Sequence, residues 1–161
     1  MLQINHASVI NPDDLAKQAP AGSNALIWSG REVHKIIASK IATNSSFLVE
    51  TTLSGRNHFR TVQDARLAGF QIALHFVFVS SVEQSKDRVR LRVSIGGHDV
   101  PEADQERRFG KSLSNFSNLL LLADETFVYR NDFEIGHERI AEYQLGKCIW
   151  IEQNALLWLP R

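Results

Sequence analysis

Three groups of side chains in this chain have the types and spacing to do chemistry. The segment Val9-Ile10-Asn11-Pro12-Asp13-Asp14 sets two carboxylates just past a short apolar run, a place where α/β sheets present functional groups to ligands. A carboxylate held there within hydrogen-bond reach of a sugar hydroxyl can take its proton, and Asp13 is better placed for this than Asp14. The same residues also read as a helix start, with Asp13 or Asp14 capping a helix that begins at Leu15. Glu50 follows Phe47-Leu48-Val49, which predicts a partly shielded carboxylate at a sheet rim, able to orient a ligand hydroxyl or amide. Thr51 and Thr52 add hydroxyls and Arg56 a cation, so Glu50, Thr51, Thr52 and Arg56 form a candidate substrate-binding set; a turn ahead of a helix is the competing reading of Thr-Thr-Leu-Ser-Gly.

The third group is Arg88, Arg90 and Arg92, followed across Gly96-Gly97 by Arg107 and Arg108. On a helix Arg88 and Arg92 share a face, while Arg90 points elsewhere. Two helices meeting at the glycine pair could aim several guanidiniums at one phosphate, and phosphoryl transfer needs chiefly positioning and positive charge around the moving oxygens. The competing reading is a solvated face paired with Glu83, Asp87, Glu102, Asp104 and Glu106. The histidines show no paired metal-ligand spacing, so His98 reads as a turn residue and no metal site is expected.

The elements that must position these groups alternate between helical and strand periodicity, the pattern of layered α/β domains. Residues 30–43 predict an amphipathic helix with Val33, Ile36, Ile37 and Ile41 on one face. Phe47 to Val49 predicts a short buried strand, residues 57–68 a helix closed by Gly69, and residues 70–79 the longest strand, expected in the centre of the sheet. Helices are expected over 82–94 and 101–123, the latter with Pro101 in its first turn. A strand over 125–130 and an antiparallel addition over 134–158, with turns at Asn131-Asp132 and Leu145-Gly146-Lys147, complete the reading.

Composition narrows the partners. A chain of 161 residues, 43% hydrophobic, is expected to form a single domain with its own core. Eighteen basic residues balance eighteen acidic ones, so no global field would hold nucleic acid or an anionic membrane, and a small ligand is the expected partner. The single cysteine, Cys148, and the lack of an export leader at Met1 predict a cytoplasmic protein, and no apolar run is long enough to span a bilayer.

Taken in order and spacing, four segments resemble zeta-toxin-like P-loop kinases over most of the chain. They are Asn11-Pro12-Asp13, Glu50 to Arg56, Arg92 with Gly96-Gly97-His98-Asp99-Val100-Pro101, and Arg108-Phe109 with Ser112-Leu113 and Asn115. The resemblance implies a three-layer sandwich with a mostly parallel sheet and C-terminal antiparallel strands. It also implies transfer of a γ-phosphate from ATP or GTP with Mg²⁺ to a nucleotide sugar such as UDP-N-acetylglucosamine. Asp13 would match the catalytic base, Glu50 and Thr51 substrate contacts, and Arg92 and Arg108 the arginines that clamp phosphate, with Arg88 beside them. Such kinases are usually restrained by a small antitoxin.

The front of the chain departs from the family pattern, because no G-x-x-x-x-G-K-[ST] segment occurs in the 161 residues. The resemblance therefore implies a domain lacking its first strand and P-loop, weak or inactive in phosphoryl transfer alone. That strand would lie between those of Phe47 to Val49 and residues 70–79, so its loss leaves a gap of about two strand spacings, with strands normally about 4.8 Å apart. Leu2-Gln3-Ile4 is linked to Val9 by too few residues for a parallel crossover. Direct closure of the flanking strands, self-association through exposed strand edges, or a shortened piece of a longer product would each answer the gap. The alternative function is a non-catalytic module that binds a nucleotide sugar or a protein, as part of a toxin-antitoxin pair; a folded remnant with no activity is the blandest option.

Overall fold

The computed structural model describes residues 7–97, 99–132, 136–153 and 155. The chain separates into two compact units, Met1–Thr52 with Asn57–Phe70, and Leu53–Arg56 with Gln71–Arg161. The expectations placed on Leu2 to Ile4, His98 and residues 156–158 lie outside the described residues.

The first unit is built on a parallel pair, β1 (Ser8–Ile10) and β2 (Phe47–Val49), in register Ser8 to Phe47 and Ile10 to Val49. Between them run α1 (Pro12–Ala16) and α2 (Ala25–Ala42), and α3 (Asn57–Leu67) follows. Helix α2 starts five residues earlier than the periodicity of 30–43 predicts, because Asn24 caps it by accepting a hydrogen bond from the Ile27 amide at 3.2 Å. Gly30, read as a boundary, is an interior helical residue. The predicted apolar face is correct in kind: Ile37 is buried and Val33, Ile36 and Ile41 are half-buried, while Arg31, Lys35 and Ser39 are exposed. Helix α3 closes as the sequence predicts. Gly69 takes the left-handed conformation (φ 86°), its amide donates to Arg66, and the Phe70 amide donates to Ala65 at 3.0 Å.

The second unit carries a four-stranded sheet in the order β3 (Ala73–Phe78), β4 (Glu125–Asp132), β5 (Gly136–Gln144), β6 (Lys147–Ile151). Strand β3 is parallel to β4, and β5 and β6 extend the sheet antiparallel. The four-stranded sheet is therefore mixed, and not mostly parallel as expected. Strand β3 is also an edge of its sheet among the described residues and not central, since β2 pairs with β1 in a different sheet. It is shorter than predicted because the backbone just before it is used elsewhere: the Ile72 amide donates to the Asp124 carboxylate at 2.7 Å, and the Ile72 carbonyl accepts from Asp124 and Glu125. Conversely β4 runs through Asn131-Asp132, which was expected to turn. The β5–β6 connection does turn at Leu145-Gly146, both with positive φ (48° and 75°), the pairing of a two-residue hairpin.

Helices α4 (Val82–Ser94) and α5 (Glu102–Leu120) accompany this sheet. Pro101 stands at the N-cap of α5, not within its first turn. Phe76 of β3 stacks on Phe116 of α5 with ring centroids 4.3 Å apart, and Leu119, Ala123, Val128, Ile140 and Ala141 fill the core around them. Asn115, one residue before Phe116, reaches the short Leu53–Arg56 segment: its side-chain amide donates to the Leu53 carbonyl at 2.7 Å and the Gly55 carbonyl at 2.9 Å. Leu53 needs this support because it is buried (4% exposed) with φ at 56°, a left-handed conformation that costs a non-glycine residue roughly 1–2 kcal/mol.

Replacing Asn115 by Ala removes two donors from carbonyls that the turn presents to it. The expected result is a loss of about 1–3 kcal/mol in stability, measured by urea unfolding at constant m-value. Stability within roughly 0.5 kcal/mol of the parent, the range of an ordinary surface change, would show that the segment is held by something else.

Candidate functional site

The strand ends of the first unit bring together what the sequence placed thirty-nine residues apart. Parallel pairing of β1 and β2 lets the Glu50 amide donate to the Ile10 carbonyl at 3.1 Å, extending the ladder by one residue. The next residue after Ile10 is Asn11, and its side-chain amide works at both ends. Its Oδ1 accepts from the amides of Asp13 (2.8 Å) and Asp14 (3.3 Å), while its Nδ2 donates to Glu50 Oε2 at 2.6 Å. Asn11, and not either aspartate, is therefore the cap of α1, with Pro12 as its first helical residue. The sequence held the signal for this: a cap-forming residue immediately before a proline, with acidic residues after it.

Asp13 and Asp14 consequently sit inside the first turn of α1, where carboxylates are favoured by the exposed helix amides. Asp14 pairs with Lys17 at 2.7 Å. The Asp13 side chain is exposed and makes no hydrogen bond or ion pair among the described residues, so its carboxylate is available to a ligand hydroxyl. Glu50 is exposed, not partly shielded as expected, because it lies one residue beyond the strand. Its orientation comes from Asn11 and not from burial.

Thr51 Oγ1 lies 3.0 Å from His58 Nε2, on the first turn of α3, and Asn57 Nδ2 lies 3.2 Å from His34 Nε2 on α2. Burial, and then repulsion from His34, push the His58 imidazole below its ordinary value of 6.5, favouring the neutral ring. Neither histidine was singled out from sequence. Thr52 is exposed beside Thr51, and Arg56 is exposed at the end of the segment that Asn115 holds in the second unit.

The arginines of the second unit have partners within the fold. Arg88 donates from its guanidinium to the Asn131 carbonyl of β4. Arg90 pairs with Asp87 at 2.7 Å and reaches Glu102 at 3.4 Å, and Arg107 holds Asp104 at 2.8 Å. Arg108 lies 4.0 Å from the same Asp104. Lys86, 14% exposed, joins α4 to α5 through Glu106 (2.7 Å) and Glu102 (3.4 Å), which hold its ammonium above the usual lysine range. The paired helix face weighed for these residues is thus present for Arg90 and Arg107. Arg92 stands in the last turn of α4, where the Gly97 amide donates to its carbonyl at 2.8 Å. Gly96 adopts φ 88°, and a Cβ on Gly97 would fall 2.4 Å from Arg92 Cγ and 2.8 Å from its carbonyl oxygen. Two glycines after Arg92 are a backbone requirement here: one for the left-handed turn, one for the close approach.

Asp13 and Glu50 belong to the first unit, and Arg88, Arg92 and Arg108 to the second. Among the described residues no group of histidine, cysteine and acidic side chains is arranged to hold a metal ion, and no helix is long and apolar enough to cross a membrane.

Elements of this kind define a mixed α/β protein. A chain from the solved structure of the PezAT chromosomal toxin-antitoxin system of Streptococcus pneumoniae is similar, with a TM-score of 0.56 over 93% of this chain and 64% of that one. At 15% identity this is a likeness of fold, and the chain spans under two thirds of that neighbour's length. No family model matches. An uncharacterized protein of Haemophilus influenzae (strain ATCC 51907 / DSM 11121 / KW20 / Rd) is 30% identical over 96 residues, 58% of this chain and 69% of that protein. The chain belongs to the same family as this Haemophilus influenzae protein.

Two outcomes test the geometry. Asn11→Ala removes both the α1 cap and the donor to Glu50, and should cost about 1–2 kcal/mol in urea unfolding, whereas Asn11→Asp should restore the cap but not Glu50. His58 has a lowered folded value, so its contribution is complete above about 6.5 and shrinks as pH falls from there through the folded value, where the unfolded chain takes the proton first. Thermal unfolding between pH 7.5 and 5 should show a decline that His58→Gln flattens; parallel profiles would contradict this.

Proposed function

We propose that residues 1–161 form one zeta-toxin-like domain of a cytoplasmic protein that binds the acceptor side of a phosphotransfer reaction, a nucleotide sugar such as UDP-N-acetylglucosamine. Its setting is toxin-antitoxin related, with a protein antagonist as partner. The observation that carries this reading is the Asn11 to Glu50 bond. It fixes a carboxylate at the end of a parallel strand pair, through the residue that also caps the helix carrying Asp13, whose carboxylate has no hydrogen-bond or ion-pair partner among the described residues. Glu50, with Thr51 and Thr52 next to it in sequence, would orient the sugar, and Asp13 would accept a hydrogen bond from a sugar hydroxyl. The fold likeness to a chain of a toxin-antitoxin system supports the same assignment.

The residues present do not fit ATP or GTP with Mg²⁺. No glycine-rich segment ending in Gly-Lys-Ser or Gly-Lys-Thr supplies an amide cradle. Of the arginines expected to bind phosphate, Arg88 is engaged by Asn131 and Arg108 faces Asp104. No step is therefore derived through a triphosphate, and these 161 residues are expected to bind without transferring phosphate.

Titration calorimetry with UDP-N-acetylglucosamine is the test. Glu50→Ala should weaken binding by about tenfold or more, the value of a hydrogen bond to a charged group, while Asp13→Ala leaves affinity within about threefold. ATP consumption with the sugar present should stay at background. Absent binding, or binding indifferent to Glu50, would overturn the reading, and ATP-dependent turnover would overturn its inactive part.

A further inference from the structure

The first unit contains a cavity of about 300 Å³ whose wall includes Ser8, Asn11, Asp14, Ile36, Lys40 and Glu50. Its chemistry is unbalanced in a specific way. Lys40 is half-buried in the last turn of α2, and no carboxylate among the described residues lies within 4.0 Å of its ammonium. Glu50 lines the same space, held through one oxygen by Asn11, and makes no ion pair. A cation and an anion thus share one small cavity without meeting. The Ser8 hydroxyl is buried with no hydrogen-bond partner among the described residues, although buried hydroxyls are nearly always satisfied. Ile10, which is 3% exposed, and Ile36 provide apolar wall between these polar points.

The geometry points to a binding site for a small zwitterion, a free α-amino acid with an apolar side chain. Its carboxylate would meet Lys40 and the Ser8 hydroxyl, its ammonium would meet Glu50, and its side chain would lie against Ile36. A phosphate dianion suits the site poorly, because Glu50 and Asp14 would repel it; a simple amine would leave Lys40 and Ser8 unsatisfied. The volume suffices for one amino acid. This inference does not rest on the nucleotide-sugar reading. Glu50 is the residue common to both, and Lys40 belongs only to the cavity.

L-leucine is the probe, measured by calorimetry against N-acetyl-leucine and leucinamide, each lacking one charge. L-leucine should bind, and blocking either charge should weaken it by about tenfold, as expected for a desolvated charged hydrogen bond. Lys40→Met should weaken L-leucine similarly and abolish the penalty for leucinamide, with Lys40→Arg retaining most of the affinity. Circular dichroism checks that each variant is folded, and UDP-N-acetylglucosamine binding by Lys40→Met should equal that of the parent. The inference is overturned by no L-leucine binding up to about 10 mM, by equal binding of the capped compounds, or by affinity unchanged in Lys40→Met. Loss of sugar binding alone, with leucine binding intact, counts against the earlier reading only.

Discussion

The Asn11 side chain carries the organisation of the first unit, and its chemistry explains why asparagine stands there. The start of a helix presents amides that need an acceptor, and the neighbouring Glu50 carboxylate needs a donor. A side-chain amide has one of each at opposite ends, so the two demands also settle which way it points. Serine or threonine would satisfy the helix but reach Glu50 poorly, and aspartate would meet Glu50 as a like charge. The parallel register of β1 and β2 makes the arrangement possible, because it sets Ile10 and Glu50 as backbone neighbours and leaves Asn11 next in line.

Polar groups in the second unit serve first as internal ties. Asp124 accepts from Ile72 and its backbone closes on the same residue, which ends the approach to β3. Asn115 supports Leu53 in a backbone conformation that a branched side chain would otherwise avoid. Lys86 and Arg90 bind Glu102 and Glu106 across the α4–α5 pair, and the depressed carboxyl of Glu102 follows from the Lys86 bond and then from Arg90. Each of these ion pairs is on its own modest, since exposed pairs contribute about 0–1 kcal/mol. Their joint effect is to fix the direction of side chains that, in sequence, look available to a ligand.

Much of the fold was legible along the chain. The apolar face of α2, the closure of α3 at Gly69, the extent of α4, and the Leu145-Gly146 turn follow from periodicity and from backbone preferences that act within a few residues. The same local reasoning misplaced the cap at Asp13 or Asp14, started α2 at Gly30 and not Ala25, and ran β3 back to Phe70. Each miss has a tertiary partner behind it or a cap that outweighs periodicity: Asn11 facing Glu50, Asn24 accepting from Ile27, and Ile72 bound by Asp124.

By itself the sequence determined the alternation of helices and strands, the balance of charge, the glycine pair after Arg92 and the candidate residues Asp13, Glu50, Thr51, Arg92 and Arg108, because composition and short-range sterics are written residue by residue. Only the tertiary structure decided that the four-stranded sheet is mixed, that β3 is its edge among the described residues, that Glu50 is exposed yet oriented, and that Arg88 turns to Asn131. Those outcomes depend on partners dozens of positions away. A hydrogen bond or a strand neighbour at that separation leaves no trace in local spacing, since either end alone is compatible with many partners and the fold selects one.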